Sequence, residues 1–164
     1  MKRIVVLAGG ALALVLVAGV SHQAAAQNAV AVVKERKDLM GAMWPSHYKE
    51  FSAVAKGEST DMAGVPAKAL AASAAVRKLP ALFPAGTGRE AAPETRAKPE
   101  IWSQRAEFEA AVAKLAGETE KLGEVAKGGN LDAYKVQFTA VFQACGGCHD
   151  GPAKSGGKFR FEAP

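Results

Sequence analysis

Cysteine and histidine are scarce in this chain: of 164 residues, two are cysteine and three are histidine. A structural zinc site built on the cysteine pair would need further Cys or His ligands, and only His22, His47 and His149 are left to supply them. No stretch sustains period-two alternation between hairpin turns, so the strand-rich context expected of a redox dithiol is missing. Although the formal charge is +5 and the pI about 9.3, no Lys/Arg-rich block carries interleaved aromatics, and no nucleic-acid partner is expected. There is one long apolar run, from Ile4 to Val20, and no second. A mature protein without a membrane span is therefore expected.

The apolar run is part of a leader. Lys2-Arg3 provide a positive start, the run itself sits at the short limit for a bilayer span, and Ala24-Ala25-Ala26 form a cleavage signal before Gln27. The expected organisation is a cleaved signal peptide at 1–26 and one domain at 27–164, exported to the periplasm. Loss of Lys2 and Arg3 leaves the mature apoprotein with a net charge of about +3.

Both cysteines lie in one pentapeptide, Cys145-Gly146-Gly147-Cys148-His149. Two thiols three residues apart, with a histidine after the second, are the attachment pattern of a c-type haem: each thiol can add to a vinyl group of one porphyrin, and the histidine is left beneath the ring where it can bind iron. Cys145 and Cys148 are the candidate tethers of a single covalent haem c, and His149 is a candidate axial ligand. A disulfide staple remains the plainer alternative in an exported protein.

Elsewhere, apolar residues recur at helical spacing in four stretches, which predicts an all-α domain. The first stretch, 30–56, carries Val33, Met40, Met43, Trp44, His47, Phe51 and Val54 on or near one stripe, with a kink expected at Pro45 and a stop at Gly57. The second, 66–79, is alanine-rich, with Leu70, Val76 and Leu79 as its larger apolar groups. Four prolines and two glycines between 79 and 99 predict a long crossing loop anchored by Leu82 and Phe83. A third helix begins near Pro99, with Ile101, Phe108, Leu115 and Leu122 seven apart and Val112, Thr119 and Ala126 as a companion row. Asn130 is placed to cap a fourth helix carrying Leu131, Tyr134, Phe138, Val141, Phe142 and Cys145, whose last turns bear the attachment motif.

Lys34-Glu35-Arg36-Lys37-Asp38-Leu39-Met40, Leu82-Phe83-Pro84-Ala85-Gly86, Ile101-Trp102 and Ala144-Cys145-Gly146-Gly147-Cys148-His149 resemble the corresponding segments of the class II c-type cytochromes, the cytochrome c′ family with its low-spin relatives. The resemblance covers essentially the whole mature chain. It implies an antiparallel four-helix bundle with haem attached near the C-terminus and helix one crossing the distal face. By the family's helix-one pattern the distal position falls on Met40, and Arg36 is similar to the arginine that meets a haem propionate. The chain departs from the family after His149. The family's aromatic-arginine pair within a turn of the histidine is displaced by about seven residues, 150–157, before Lys158-Phe159-Arg160, so Arg160 is not expected to cover the proximal face.

Met40 can bind iron through its thioether or simply fill space, as a methionine on an apolar stripe usually does. Three functions follow from these choices. With Met40 and His149 both on the iron, the protein is expected to be a low-spin periplasmic electron carrier that serves redox proteins and has no substrate. With His149 alone, Met40 becomes a lid and the haem binds or sequesters nitric oxide or carbon monoxide, as the family's high-spin members do. An enzyme would need a polar distal acid-base group, for which His47 is the one histidine in reach; the apolar stripe argues against it, and a non-enzyme is expected. The resemblance also allows a homodimer through helix one. Replacing both tethers, Cys145→Ala with Cys148→Ala, is expected to abolish covalently bound haem, read as loss of haem staining on a denaturing gel.

Overall fold

The computed structural model describes residues 28–149 and 156–162. Residues 1–27, where the leader is expected, 150–155 and 163–164 lie outside the described residues.

Helix α1 occupies 28–56 in three parts: an α-helical run over 28–43, one π-helical turn at Trp44–Tyr48, and α-helix again at Lys49–Lys56. Before the turn the buried residues are Ala29, Val33, Arg36 and Met43, which share one face. Five residues separate Met43 from Tyr48, and an unbroken α-helix would swing Tyr48 off that face. The π turn absorbs the extra residue through a wider bond, the Lys49 N–H donating to the Trp44 carbonyl. Tyr48, Phe51 and Val54 then continue the buried stripe. Pro45 is the local cause, since it offers no N–H and its ring crowds the carbonyl four residues back. What the sequence presents as a kink is thus a change of pitch. The helix stops at Gly57, whose φ of 78° suits glycine and lets the Glu58 N–H reach the Ala53 carbonyl at 2.8 Å.

Helix α2, Val65–Val76, carries Pro66 in its first turn and buries Val65, Ala69, Ala72, Ser73 and Val76. Leu70, expected as one of its larger apolar groups, points outward and is largely exposed; the small residues form the inner face instead. They allow a close crossing with helix α3, Arg105–Lys127. A Cβ on Gly123 of α3 would lie 3.0 Å from the Ala69 Cβ and 3.3 Å from the Pro66 Cα, tighter than ordinary contact, so a larger residue there would have to push the two helices apart.

The crossing loop starts with a 3-10 turn, Leu79–Leu82, and ends in a short helical turn, Glu100–Ser103. The third helix expected from Pro99 onward is broken at Gln104, with φ −119° and ψ 47°. The residues flanking the break explain it. The Trp102 indole N–H donates to the Phe83 and Pro84 carbonyls at 3.1 and 2.9 Å, and the Arg105 guanidinium donates to those of Phe83 and Pro80 at 3.0 and 2.8 Å. Both side chains hold the loop, and the backbone between them bends to let them. Ile101, Phe108, Val112, Thr119, Leu122 and Ala126 are buried as the spacing predicts.

Helix α4, Leu131–Cys145, is capped by Asn130, whose side chain accepts from the Ala133 N–H at 2.9 Å. Tyr134, Gln137, Val141 and Ala144 face inward, whereas Phe142, expected in that row, is exposed. Packing runs from α2 to α3, from α3 to α4, and from the Lys49–Lys56 segment of α1 to α4. The result is a four-helix bundle with no strand among the described residues; their one β-bridge joins Ala97 to Arg160. No described helix is long and apolar enough to cross a membrane.

Two buried phenols tie α1 into the bundle. Tyr48 shares a 3.0 Å hydrogen bond with the Thr119 hydroxyl, and because Thr119 spends its proton on the Leu115 carbonyl, Tyr48 is the donor. Tyr134 donates to the Phe51 carbonyl at 3.2 Å. Burial pushes the Tyr48 hydroxyl up to about 12 and raises that of Tyr134 as well. A phenol raised in the fold contributes stability that is whole below its ordinary value, near 10, and lost as pH climbs above it. Tm is therefore expected to fall as pH rises past about 10. The double variant Tyr48→Phe, Tyr134→Phe, though less stable at neutral pH by about 1–2 kcal/mol, should show a shallower decline.

Candidate functional site

Helix α4 ends at Cys145, and the attachment motif continues beyond it as turns rather than as helix. The N–H groups of Gly146, Gly147 and Cys148 each donate three residues back, to the carbonyls of Gln143, Ala144 and Cys145, at 3.0, 3.1 and 3.2 Å. The tightened turns carry both thiols to the end of the bundle's fourth helix. The Cys145 thiol donates to the Val141 carbonyl at 3.4 Å. Burial raises both thiols, Cys148 to about 11 with the adjacent Cys145 adding to the shift, so both remain protonated at neutral pH. The thiols are free, not joined to each other, which removes the disulfide alternative in this structure. His149 follows half-buried, its N–H on the Cys145 carbonyl at 3.3 Å.

On α1 the two methionines separate. Met43 is buried in the core, 6% exposed, and fills space there. Met40 lies on the same helical face as Val33, Arg36 and Met43, yet is 40% exposed and belongs to no part of the core. A space-filling role belongs to Met43, not to Met40. His47, on the π turn, is half-buried, and its Nδ1 has no hydrogen-bond partner.

Arg36 is buried to 4% exposure, and its guanidinium is held entirely by neutral oxygens of the crossing loop. It donates to the Leu82 carbonyl at 3.3 Å, the Thr87 hydroxyl and carbonyl at 3.2 and 2.8 Å, and the Thr95 hydroxyl at 2.7 Å. The guanidinium also sits over the Phe83 ring, 4.5 Å from its centroid. Desolvation lowers its pKa to about 10, with the field of Glu94 opposing. A buried cation without a carboxylate on its hydrogen bonds suits a position beside an anion. Thr87 and Thr95, its anchors, had no motif to mark them; the polar demand of a buried arginine was the available signal.

After 150–155 the chain returns, and Arg160 pairs through its backbone with Ala97 of the crossing loop. The displaced aromatic-arginine pair is thus docked on the loop. Two free thiols three residues apart in sequence, an imidazole directly after the second, a thioether on the helix face that Arg36 shares but outside the core, and a buried guanidinium with no carboxylate on its hydrogen bonds form a donor set that fits covalent haem.

The family model described as cytochrome c′ matches residues 31–151. Cytochrome c′ of Rubrivivax gelatinosus is 35% identical over 64% of this chain and 81% of its own length, and that of Pararhodospirillum photometricum is 34% identical over 73% and 94%. Among solved structures, the carbon monoxide-bound form of a variant cytochrome c′ from Alcaligenes xylosoxidans aligns with a TM-score of 0.65 at 28% identity, covering 80% of this chain and 94% of that one. The chain belongs to the cytochrome c′ family of class II c-type cytochromes, and its cofactor is one covalently attached haem c.

Proposed function

We propose that this protein is a periplasmic, gas-binding haem c protein in which His149 is the sole protein ligand of the iron and Met40 is a lid over the opposite face. The observation that carries the reading is the placement of Met40, turned to the inner face of α1 but left out of the core that claims Met43. The relatives, named as cytochromes c′, support it over the electron-carrier expectation, as does the carbon monoxide complex among the structural neighbours. Bound there, the haem supplies a reversible site for nitric oxide or carbon monoxide.

The chain's own residues divide the work. Cys145 and Cys148 would hold the ring through two thioether bonds to its vinyl groups. Arg36 meets a propionate with the donor capacity its loop contacts leave over, a guanidinium presenting five N–H groups. The flexible, apolar side chain of Met40 admits a small neutral gas and excludes water and larger anions. Export follows from the leader, proposed to be removed after Ala26.

A second reading rests on the same side chain. If the Met40 thioether binds the iron, the protein is a low-spin electron carrier exchanging electrons with periplasmic redox proteins. An optical spectrum of the haem-loaded protein in both oxidation states decides between them. A high-spin spectrum that shifts when carbon monoxide is added supports the gas-binding reading, and a low-spin spectrum with a sulfur-to-iron charge-transfer band overturns it in favour of the carrier.

Three variants extend the test. Met40→Ala is expected to speed carbon monoxide association roughly tenfold, about 1.4 kcal/mol off the barrier. Met43→Ala should leave the spectrum unchanged while lowering stability by about 2–5 kcal/mol, measured by denaturant unfolding. Arg36→Lys keeps the charge but loses the fork, and is expected to destabilise the protein by about 1–3 kcal/mol.

A further inference from the structure

Residues 156–162 form a strap that lies outside the four helices and contributes Phe159 to the core. It lies antiparallel to the end of the crossing loop: the Lys98 N–H donates to the Phe159 carbonyl at 3.1 Å, and the Phe161 N–H to the Arg96 carbonyl at 2.8 Å, with Ala97 and Arg160 bridged between them. Side chains reinforce the pairing. The Arg96 Nε donates to the Phe161 carbonyl at 2.8 Å, Arg89 stacks 4.3 Å from the centroid of the Phe161 ring, and Lys158 pairs with Glu107 on α3. Phe159 is 3% exposed, with its ring edge-on to Phe108 at 5.4 Å; Phe108 in turn meets Phe83 at 5.0 Å.

One strap contact goes elsewhere. The Phe159 N–H donates to the Cys148 carbonyl at 3.1 Å. That carbonyl belongs to the peptide joining the second tether to His149, and the N–H of the same peptide donates to the Cys145 carbonyl at 3.3 Å. The peptide plane is therefore fixed at both ends, one end by the motif's own turn and the other by a residue ten positions further on. A peptide held at both its oxygen and its nitrogen cannot rotate, and its rotation is what would swing the Cα–Cβ bond of His149.

We propose that the strap is a proximal clamp, with Phe159 a positioning residue that sets the direction of the His149 imidazole through the Cys148–His149 peptide. The inference rests on the reading of His149 as an iron ligand and is indifferent to what occupies the opposite face. Its physical logic is preorganisation. Gly146 and Gly147 within the motif give the chain little stiffness of its own, and the crossing loop, itself held by Arg36, Trp102 and Arg105, supplies a rigid wall to fasten to.

The test uses the haem-loaded full chain and two readouts. Amide hydrogen exchange at His149 reports whether the peptide is pinned, and the hyperfine-shifted NMR signals of the His149 ring protons report its orientation in either spin state. Phe159→Ala removes the buried ring that seats the strap. Phe161→Pro removes the N–H donated to Arg96 together with the Phe161 ring that Arg89 stacks on, and leaves the Phe159 ring in place, so it serves if the first variant folds poorly. The expected result is exchange at His149 faster by about tenfold, with displaced ring-proton signals, while covalent haem content and helical circular dichroism are retained. Strap amides that exchange freely while His149 keeps its wild-type exchange and ring signals would overturn the clamp. His149→Ala keeps the two proposals apart, because an unchanged haem spectrum in that variant defeats the ligand assignment, whereas the exchange result at position 149 in the strap variants stands on its own.

Discussion

The burial of a single cation, Arg36, organises the end of the molecule where the haem is attached. A guanidinium removed from water needs its donors met, and here the crossing loop meets them with two threonine hydroxyls and two carbonyls rather than with a carboxylate. That demand fixes the course of a proline-rich segment with little regular structure of its own. Once the loop is fixed, Phe83 lies under the guanidinium and against Phe108, the Arg96–Lys98 edge is presented to the returning tail, and the tail meets the attachment motif. Helix α1 and the attachment motif with His149 are thereby parts of one network joined through the loop.

The bundle itself obeys simpler rules. The middle of the inner face of α2 is made of Ala69, Ala72 and Ser73, with Val65 and Val76 at its ends, Gly123 faces it from α3, and the two helices approach more closely than leucine-lined helices could. Larger side chains collect instead between α3, α4 and the second half of α1, where Phe51, Leu122, Tyr134 and Val141 are fully buried. Polar atoms enter that core only where they are answered, as Tyr48 is by Thr119 and Tyr134 by the Phe51 carbonyl.

Helix number, the Asn130 cap, the stop at Gly57 and the attachment pentapeptide were all legible in the sequence, because each is set by local chemistry: spacing, a side-chain acceptor, a positive φ, two thiols and an imidazole. Leu70 and Phe142 misled, since size suggested burial where angular position on the helix decided otherwise. The break at Gln104 and the role of Phe159 were invisible for a different reason. Both depend on partners distant in sequence, the Phe83 and Pro84 carbonyls in one case and those of Cys148 and the loop edge in the other. Arg36 fell between these cases: its importance was visible from resemblance, but its burial and its threonine partners were not.

The π turn at Trp44–Tyr48 divides the first helix mechanically. Below it, Phe51 and Val54 are locked into the common core; above it, Arg36 answers to the crossing loop and Met40 stays outside the core. A turn of wider pitch works as a vernier between two scales, letting the upper half be registered to its own neighbours without shearing the lower half. With such a joint, a change of side chain at position 40 can be taken up by a small rotation of 28–43 while the bundle beneath stays still.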